Sequence, residues 1–287
     1  MRYRVTHVTR YEYEAKVSHA HHLAHLCPRA TQHQHVDALE LSVEPAPASR
    51  HTEIDYFGNL SERIEIREPH RELSVTCVSD VRVSSREAPL PSVAWDELVT
   101  SFEGGQRRLV ASDFRWDSPH VRIHPTLRAY AEPSFEKGRD LVVAVSELNR
   151  RIFEEFTYDA AATNISTPLR QVLRERRGVC QDFAHLAVGC LRSLGLSARY
   201  VSGYLETSPP AGRPRLVGAD ASHAWASVLL PDGTWLDFDP TNGVLPDEHH
   251  VTVAWGRDFS DVSPLRGVVL GGGYHRVHVG VDTVALD

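Results

Sequence analysis

Among the side chains able to act as nucleophiles, the chain offers four cysteines, Cys27, Cys77, Cys180 and Cys190, with no short paired spacing among them. Cys180 stands apart by position. It follows Arg176-Arg177-Gly178-Val179 and opens a segment whose apolar residues Phe183, Leu186, Ala187, Cys190, Leu191 and Leu194 recur at helical spacing up to Gly195. A thiol at a helix start meets unpaired N–H groups and the positive end of the macrodipole, both of which favour a thiolate. The same N–H groups can hold the oxyanion of a tetrahedral intermediate. Cys190 lies inside the apolar stripe and reads as a small core residue.

A thiol nucleophile needs a base, and the base needs an orienting group. Seventeen histidines make chance pairings easy, so context must select. His223 opens a strand-like run to Leu230, followed by Pro231-Asp232-Gly233 and a second run, Thr234-Trp235-Leu236-Asp237-Phe238-Asp239. With a three-residue loop, 230 lies opposite 234 and 223 opposite 241. His223 then shares a face with Asp237 and Asp239, and Asp239 is the nearer. A two-residue Asp232-Gly233 loop would turn both carboxylates to the other face. The expected chemistry is acyl transfer: thiolate attack on an amide carbonyl, proton delivery by His223, and a thioester resolved by water or an amine.

These groups must be positioned by folded elements. From Tyr3 to about Val83 the sequence alternates with period two, as in Tyr3-Arg4-Val5-Thr6-His7-Val8 and Leu73-Ser74-Val75-Thr76-Cys77-Val78, which predicts antiparallel strands. Asp55-Tyr56-Phe57-Gly58-Asn59 is the clearest turn. Arg86 to Pro91 carries two prolines and reads as a linker. Asp140 precedes Leu141, Val145, Leu148, Ile152 and Phe156, an amphipathic helix with an Asp N-cap. Thr167-Pro168 predicts another helix start, stopped at Gly178. Helices followed by strands argue for α+β rather than a doubly wound sheet. The expected division is 1–88 as an all-β, sandwich-like domain, 89–135 as linker and helical lead-in, and 136–287 as the core with C-terminal strands.

The words around these residues carry a resemblance. Arg176-Arg177-Gly178-Val179-Cys180-Gln181-Asp182-Phe183-Ala184, Ser222-His223-Ala224-Trp225 and Trp235-Leu236-Asp237-Phe238-Asp239-Pro240-Thr241-Asn242 resemble, in order, the cysteine, histidine and aspartate motifs of the transglutaminase-like branch of the papain-type fold. Tyr3 to Tyr11, Pro69-His70-Arg71-Glu72-Leu73 and Ser263-Pro264-Leu265-Arg266-Gly267 resemble the β-rich N-terminal region and tail of its bacterial members. The resemblance implies a Cys180–His223–Asp239 triad, because the family's acid directly precedes Pro-Thr, and a papain-like core with a helix-borne Cys and an antiparallel sheet bearing His and Asp. Tyr158, Gln181 and Trp225 are the candidates for oxyanion or supporting roles, with the Cys180 N–H as the companion donor.

Composition narrows the partners. The 287 residues are 41% hydrophobic, enough for one large or two modest cores, and the formal charge of −7 disfavours nucleic acid and anionic lipid. Of 31 basic residues 29 are arginine, Lys16 and Lys137 being the exceptions. No signal-like or membrane-spanning apolar run is present, and four unpaired-looking cysteines suit a reducing compartment, so a cytoplasmic protein is expected. Peptide or protein amides are the expected substrates, without a cofactor. Hydrolysis, as peptidase or amidase, is favoured over cross-linking or deamidation by the same triad. A non-catalytic binding or metal-binding module is the alternative class. His19, His21, His22, His25, Cys27, His33 and His35 form a dense cluster, but no Cys-x-x-Cys or His-Glu-x-x-His word completes a tetrahedral set, so no metal site is expected.

Overall fold

Period-two alternation along the first 24 residues buries Tyr3, Val5, His7 and Thr9 on one side of a strand and exposes Arg2, Arg4 and Arg10 on the other. The computed structural model describes residues 1–86, 93–101, 112–206 and 221–286. That first strand, β1 (Arg2–Ala24), is long enough to serve two neighbourhoods. Its first half lies beside β5 (His70–Val83), which in turn pairs with β2 (Gln34–Glu44). Its second half lies beside β4 (Leu60–Ile66), which pairs with β3 (Ser49–Ile54). A register shift between Glu12 and Val17 separates the two halves. The N-terminal region thus contributes five strands to one hydrogen-bonded sheet of seven, around a core that includes Val17, Ala20, Leu41, Ile64, Ile66, Leu73 and Val75. The Asp55 turn forms as expected: its carboxylate accepts from the Phe57 and Asn59 N–H groups, and Gly58 supplies φ 77°.

The helical part contains α1 (Trp95–Ser101), α2 (Pro125–Ala131), α3 (Leu141–Glu155), α4 (Leu169–Glu175) and α5 (Cys180–Ser193). Asp140 caps α3 by accepting from the Val143 N–H, and Leu141, Val145, Leu148 and Ile152 are fully buried. The predicted limits of α4 are corrected. The Thr167 hydroxyl accepts from the Asn164 N–H instead of capping the helix, so α4 begins one residue beyond Pro168. It ends before Gly178, because Arg176 adopts the left-handed conformation at φ 55°. Two-residue strands β6 (Thr157–Tyr158) and β7 (Arg177–Gly178) then pair in parallel.

A second sheet has the order β10-β9-β8-β11, from β8 (Ala198–Leu205), β9 (His223–Leu229), β10 (Trp235–Phe238) and β11 (His250–Gly256), all antiparallel. Leu186, Ala187 and Cys190 of α5 pack in one core with Ala226 and Val228 of β9, so helix and sheet share their apolar faces. A short α6 (Phe259–Val262) leads to β12 (Leu265–Gly271) and β13 (His275–Ala285). These last strands pair with β1 in the first sheet, although the sequence attaches them to the segment 136–287. The architecture is α+β: strands first, then a helix-and-sheet core, with the chain returning to close the opening sheet.

Candidate active site

The sharp turn into α5 depends on Gly178 and Asp182. The Asp182 carboxylate folds back to accept from the Val179 N–H at 2.8 Å and from the Thr163 hydroxyl at 2.6 Å. A Cβ on Gly178 would lie 2.7 Å from that carboxylate, so only glycine leaves room for the cap. Cys180 is then the first residue of α5, half buried, while Cys27, Cys77 and Cys190 are buried. Burial pushes the Cys190 thiol up to about 12, which suits an inert core residue.

The hairpin between β9 and β10 sets the carboxylates. The Leu230 N–H donates to Thr234 and Trp235 lies opposite Leu229, so the loop is Pro231-Asp232-Gly233 and the face is shared by His223, Trp225, Ser227 and Asp237. Just beyond β10, Asp239 is fully buried and accepts from His223 Nε2 at 2.8 Å. The following turn wraps donors around the same carboxylate: the Thr241 N–H at 2.9 Å, the Asn242 N–H at 3.3 Å and Asn242 Nδ2 at 2.7 Å. His250 Nε2 of β11 adds a fifth at 3.3 Å. Burial alone would raise the Asp239 carboxyl, but the charges and hydrogen bonds of His223 and His250 prevail and hold it well below the usual range.

The same balance runs the other way on His223. Burial pushes its pKa down, whereas Asp239 and then Cys180, each through hydrogen bonding and charge, raise it to about 10. With Nε2 on Asp239, the ring's Nδ1 is buried without a closed hydrogen bond among the described residues, and Cys180 is the other polar group that reaches the imidazole. The arrangement can hold an imidazolium between a carboxylate and a sulfur.

The remaining sequence candidates fall around this line. Tyr158, 40% exposed, pairs through β6 with Gly178, two residues before the thiol; burial, then the charge of Cys180, raises its phenol. Gln181 is half buried in the first turn of α5. Trp225 is fully buried, its ring 6.2 Å from that of His223 and 5.4 Å from that of His250. It can lie there because Gly203, opposite His223 on β8, has no side chain: a Cβ would come within 2.3 Å of the indole and 2.2 Å of the Val251 carbonyl. Asp237, read as a solvated or hydrogen-bonding neighbour of the site, is the latter: it is buried and paired with Arg86, Ser227 and Arg199. Sequence reasoning missed His250. It arrives from a strand eleven residues beyond Asp239, and no motif marks it.

A half-buried thiol on a helix, set against an imidazole–carboxylate pair on an antiparallel sheet, defines the class: a papain-like core behind an N-terminal sheet region. Residues 3–82 match the model of the bacterial transglutaminase-like N-terminal region, and residues 128–240 match that of the transglutaminase-like superfamily. An uncharacterized protein of Mycobacterium tuberculosis is 42% identical over 296 residues, covering 100% of this chain and 93% of its own length. The chain therefore belongs to the transglutaminase-like superfamily, with the bacterial N-terminal region. A Pseudomonas aeruginosa protein named protein-glutamine gamma-glutamyltransferase is 30% identical over 139 residues, 46% of this chain and 21% of that protein. A solved structure from Cytophaga hutchinsonii, described as a candidate cysteine protease, superposes with a TM-score of 0.78 at 22% identity, over 100% of this chain and 91% of its own.

Proposed function

We propose that the protein is a cysteine-dependent amide hydrolase, a peptidase or amidase, acting through Cys180, His223 and Asp239. The observation that carries this reading is the buried His223–Asp239 pair, 2.8 Å apart, with Cys180 of the α5 start reaching the same imidazole; both neighbours raise the pKa of His223. The Cys180 thiolate attacks the amide carbonyl carbon, and the tetrahedral oxyanion is held by the Cys180 N–H together with Tyr158 or Gln181. His223 gives its proton to the leaving amine as the C–N bond breaks, leaving a thioester. Water, deprotonated by His223, attacks the thioester, releasing the acid and restoring the thiolate and imidazolium. Asp239 holds the ring throughout, and Trp225 packs behind it.

The substrate is a peptide or protein amide, and the four reduced cysteines fit a cytoplasmic enzyme. The similarity to a gamma-glutamyltransferase supports a second outcome for the same thioester, capture by a primary amine. Incubation with a peptide library, followed by mass spectrometry of the acid-quenched protein, tests the reading. An acyl adduct on Cys180 that water discharges, leaving cleaved backbone or a free acid, is expected. An adduct discharged only by amine makes the protein a transferase, and ammonia release from glutamine makes it a deamidase. Absence of any Cys180 adduct across the library contradicts the enzymatic reading.

A further inference from the structure

The dense histidine stretch divides by face. On β1, His22 is buried, while His19 and His21 point outward together, as residues two apart on a strand must. Glu65 of β4 lies directly opposite His21 in register and so projects from the same face. His19 Nε2 is 3.2 Å and His21 Nε2 4.0 Å from Glu65 Oε1, and one ligand atom from each residue falls within 4.8 Å of the others. The Ser49 hydroxyl donates to the other Glu65 oxygen at 2.9 Å, fixing the carboxylate from behind.

We propose that His19, His21 and Glu65 form a binding site for a divalent transition metal of the zinc type. Two imidazole nitrogens and one carboxylate oxygen are a donor set that zinc accepts, and three ligands from a rigid sheet leave a fourth position for water or an incoming group. The sequence showed two of the three donors. The third lies 44 residues beyond His21 and is delivered by strand pairing alone. One competitor is present: Arg67 Nε donates to Glu65 Oε1 at 2.9 Å from a side chain 65% exposed. A bound cation would displace it into solvent. The site lies on the outer face beside Val268 and Leu270 of β12, themselves well exposed, and uses none of the residues assigned to acyl transfer.

The test is calorimetric titration of zinc chloride into chelator-washed full-length protein carrying Cys180→Ala, so that a thiol at the other site cannot take up the ion. One zinc per chain is expected, with affinity reduced about 10-fold or more by His21→Ala and by Glu65→Gln. Cobalt(II) absorption in the visible should appear in the parent and vanish in both variants. His275→Ala, at an exposed histidine of β13 outside the site, should leave the titration unchanged. Circular dichroism checks that the variants remain folded, which the exposure of His21 favours. No saturable uptake, or uptake that survives both His21→Ala and Glu65→Gln, overturns the proposal.

Discussion

At the scale of single residues, the proposed chemistry rests on one buried carboxylate, Asp239, that accepts from two imidazoles. His223 has a pKa raised to about 10 from an ordinary value near 6.5, so the folded protein retains a proton that the unfolded chain releases over that interval. Its contribution to stability is complete below about pH 6.5 and is lost as pH rises toward 10. Urea denaturation of the wild type and of His223→Gln should show the difference between them shrinking across that window. Asp239 works in the opposite sense, stabilising above the ordinary carboxylate range and ceasing to do so in acid. His250→Ala removes a donor to this charge and should cost about 1.5–3 kcal/mol in the same assay, whereas His250→Gln, which keeps an N–H donor, should recover part of it. Cys180, His223 and Asp239 could be picked out of the sequence because helix start, strand parity and local words converged on them. His250 could not be, since its relation to Asp239 exists only after β11 has docked beside β8.

Secondary-structure elements hold these groups through local devices of two kinds, caps and close approaches. The Asp140 cap was legible because an N-cap and a 3.6-residue apolar period reinforce each other. The ends of α4 were not, because the Thr167 hydroxyl was engaged locally and an arginine, rather than a glycine, took the left-handed position. Gly203 also gave no signal in sequence, being one glycine within a strand. It is nevertheless where the Trp225 ring meets the backbone of β8. Gly203→Ala should destabilise the protein by about 1–3 kcal/mol through overpacking and should lower turnover by tilting the indole behind His223. Thermal unfolding and peptide hydrolysis, measured together, check both effects. Asp182→Ala strips the cap from the helix that carries Cys180, and a loss of about 1 kcal/mol is expected by the same unfolding assay.

For the whole molecule, the least legible feature was the return of the chain to its first strand. β13 pairs with β1 from Tyr3–Ala285 to Tyr13–His275, contacts separated by more than 250 residues that no local pattern encodes. The first sheet also packs on the core: Tyr3, Val5, Val81, Val83 and Val281 share one cluster with Tyr200, Tyr204, Val251 and Val253. Gln34 exchanges two hydrogen bonds with the backbone of Thr252, and Asn59 does the same with Trp255. Arg29 stacks 3.2 Å over the Trp255 ring. Sheet and core should therefore unfold together, giving superposable denaturation curves by tryptophan fluorescence and far-ultraviolet circular dichroism; two separated transitions would show them to be independent. Removing residues 265–287 should expose an unpaired edge of β1 and yield aggregating protein, as measured by soluble fraction and light scattering. In the proposed function this framework serves one chemical arrangement, the sulfur of Cys180 beside the imidazole of His223, whose pKa its neighbours raise. Its most direct test is the iodoacetamide alkylation rate of Cys180 between pH 5 and 9, with site assignment by mass spectrometry. Rapid alkylation persisting at pH 6 is expected, with a marked loss of that acid-side reactivity in Asp239→Asn. A rate that rises only around pH 8–9, as for an ordinary thiol, and that is indifferent to Asp239→Asn would contradict it.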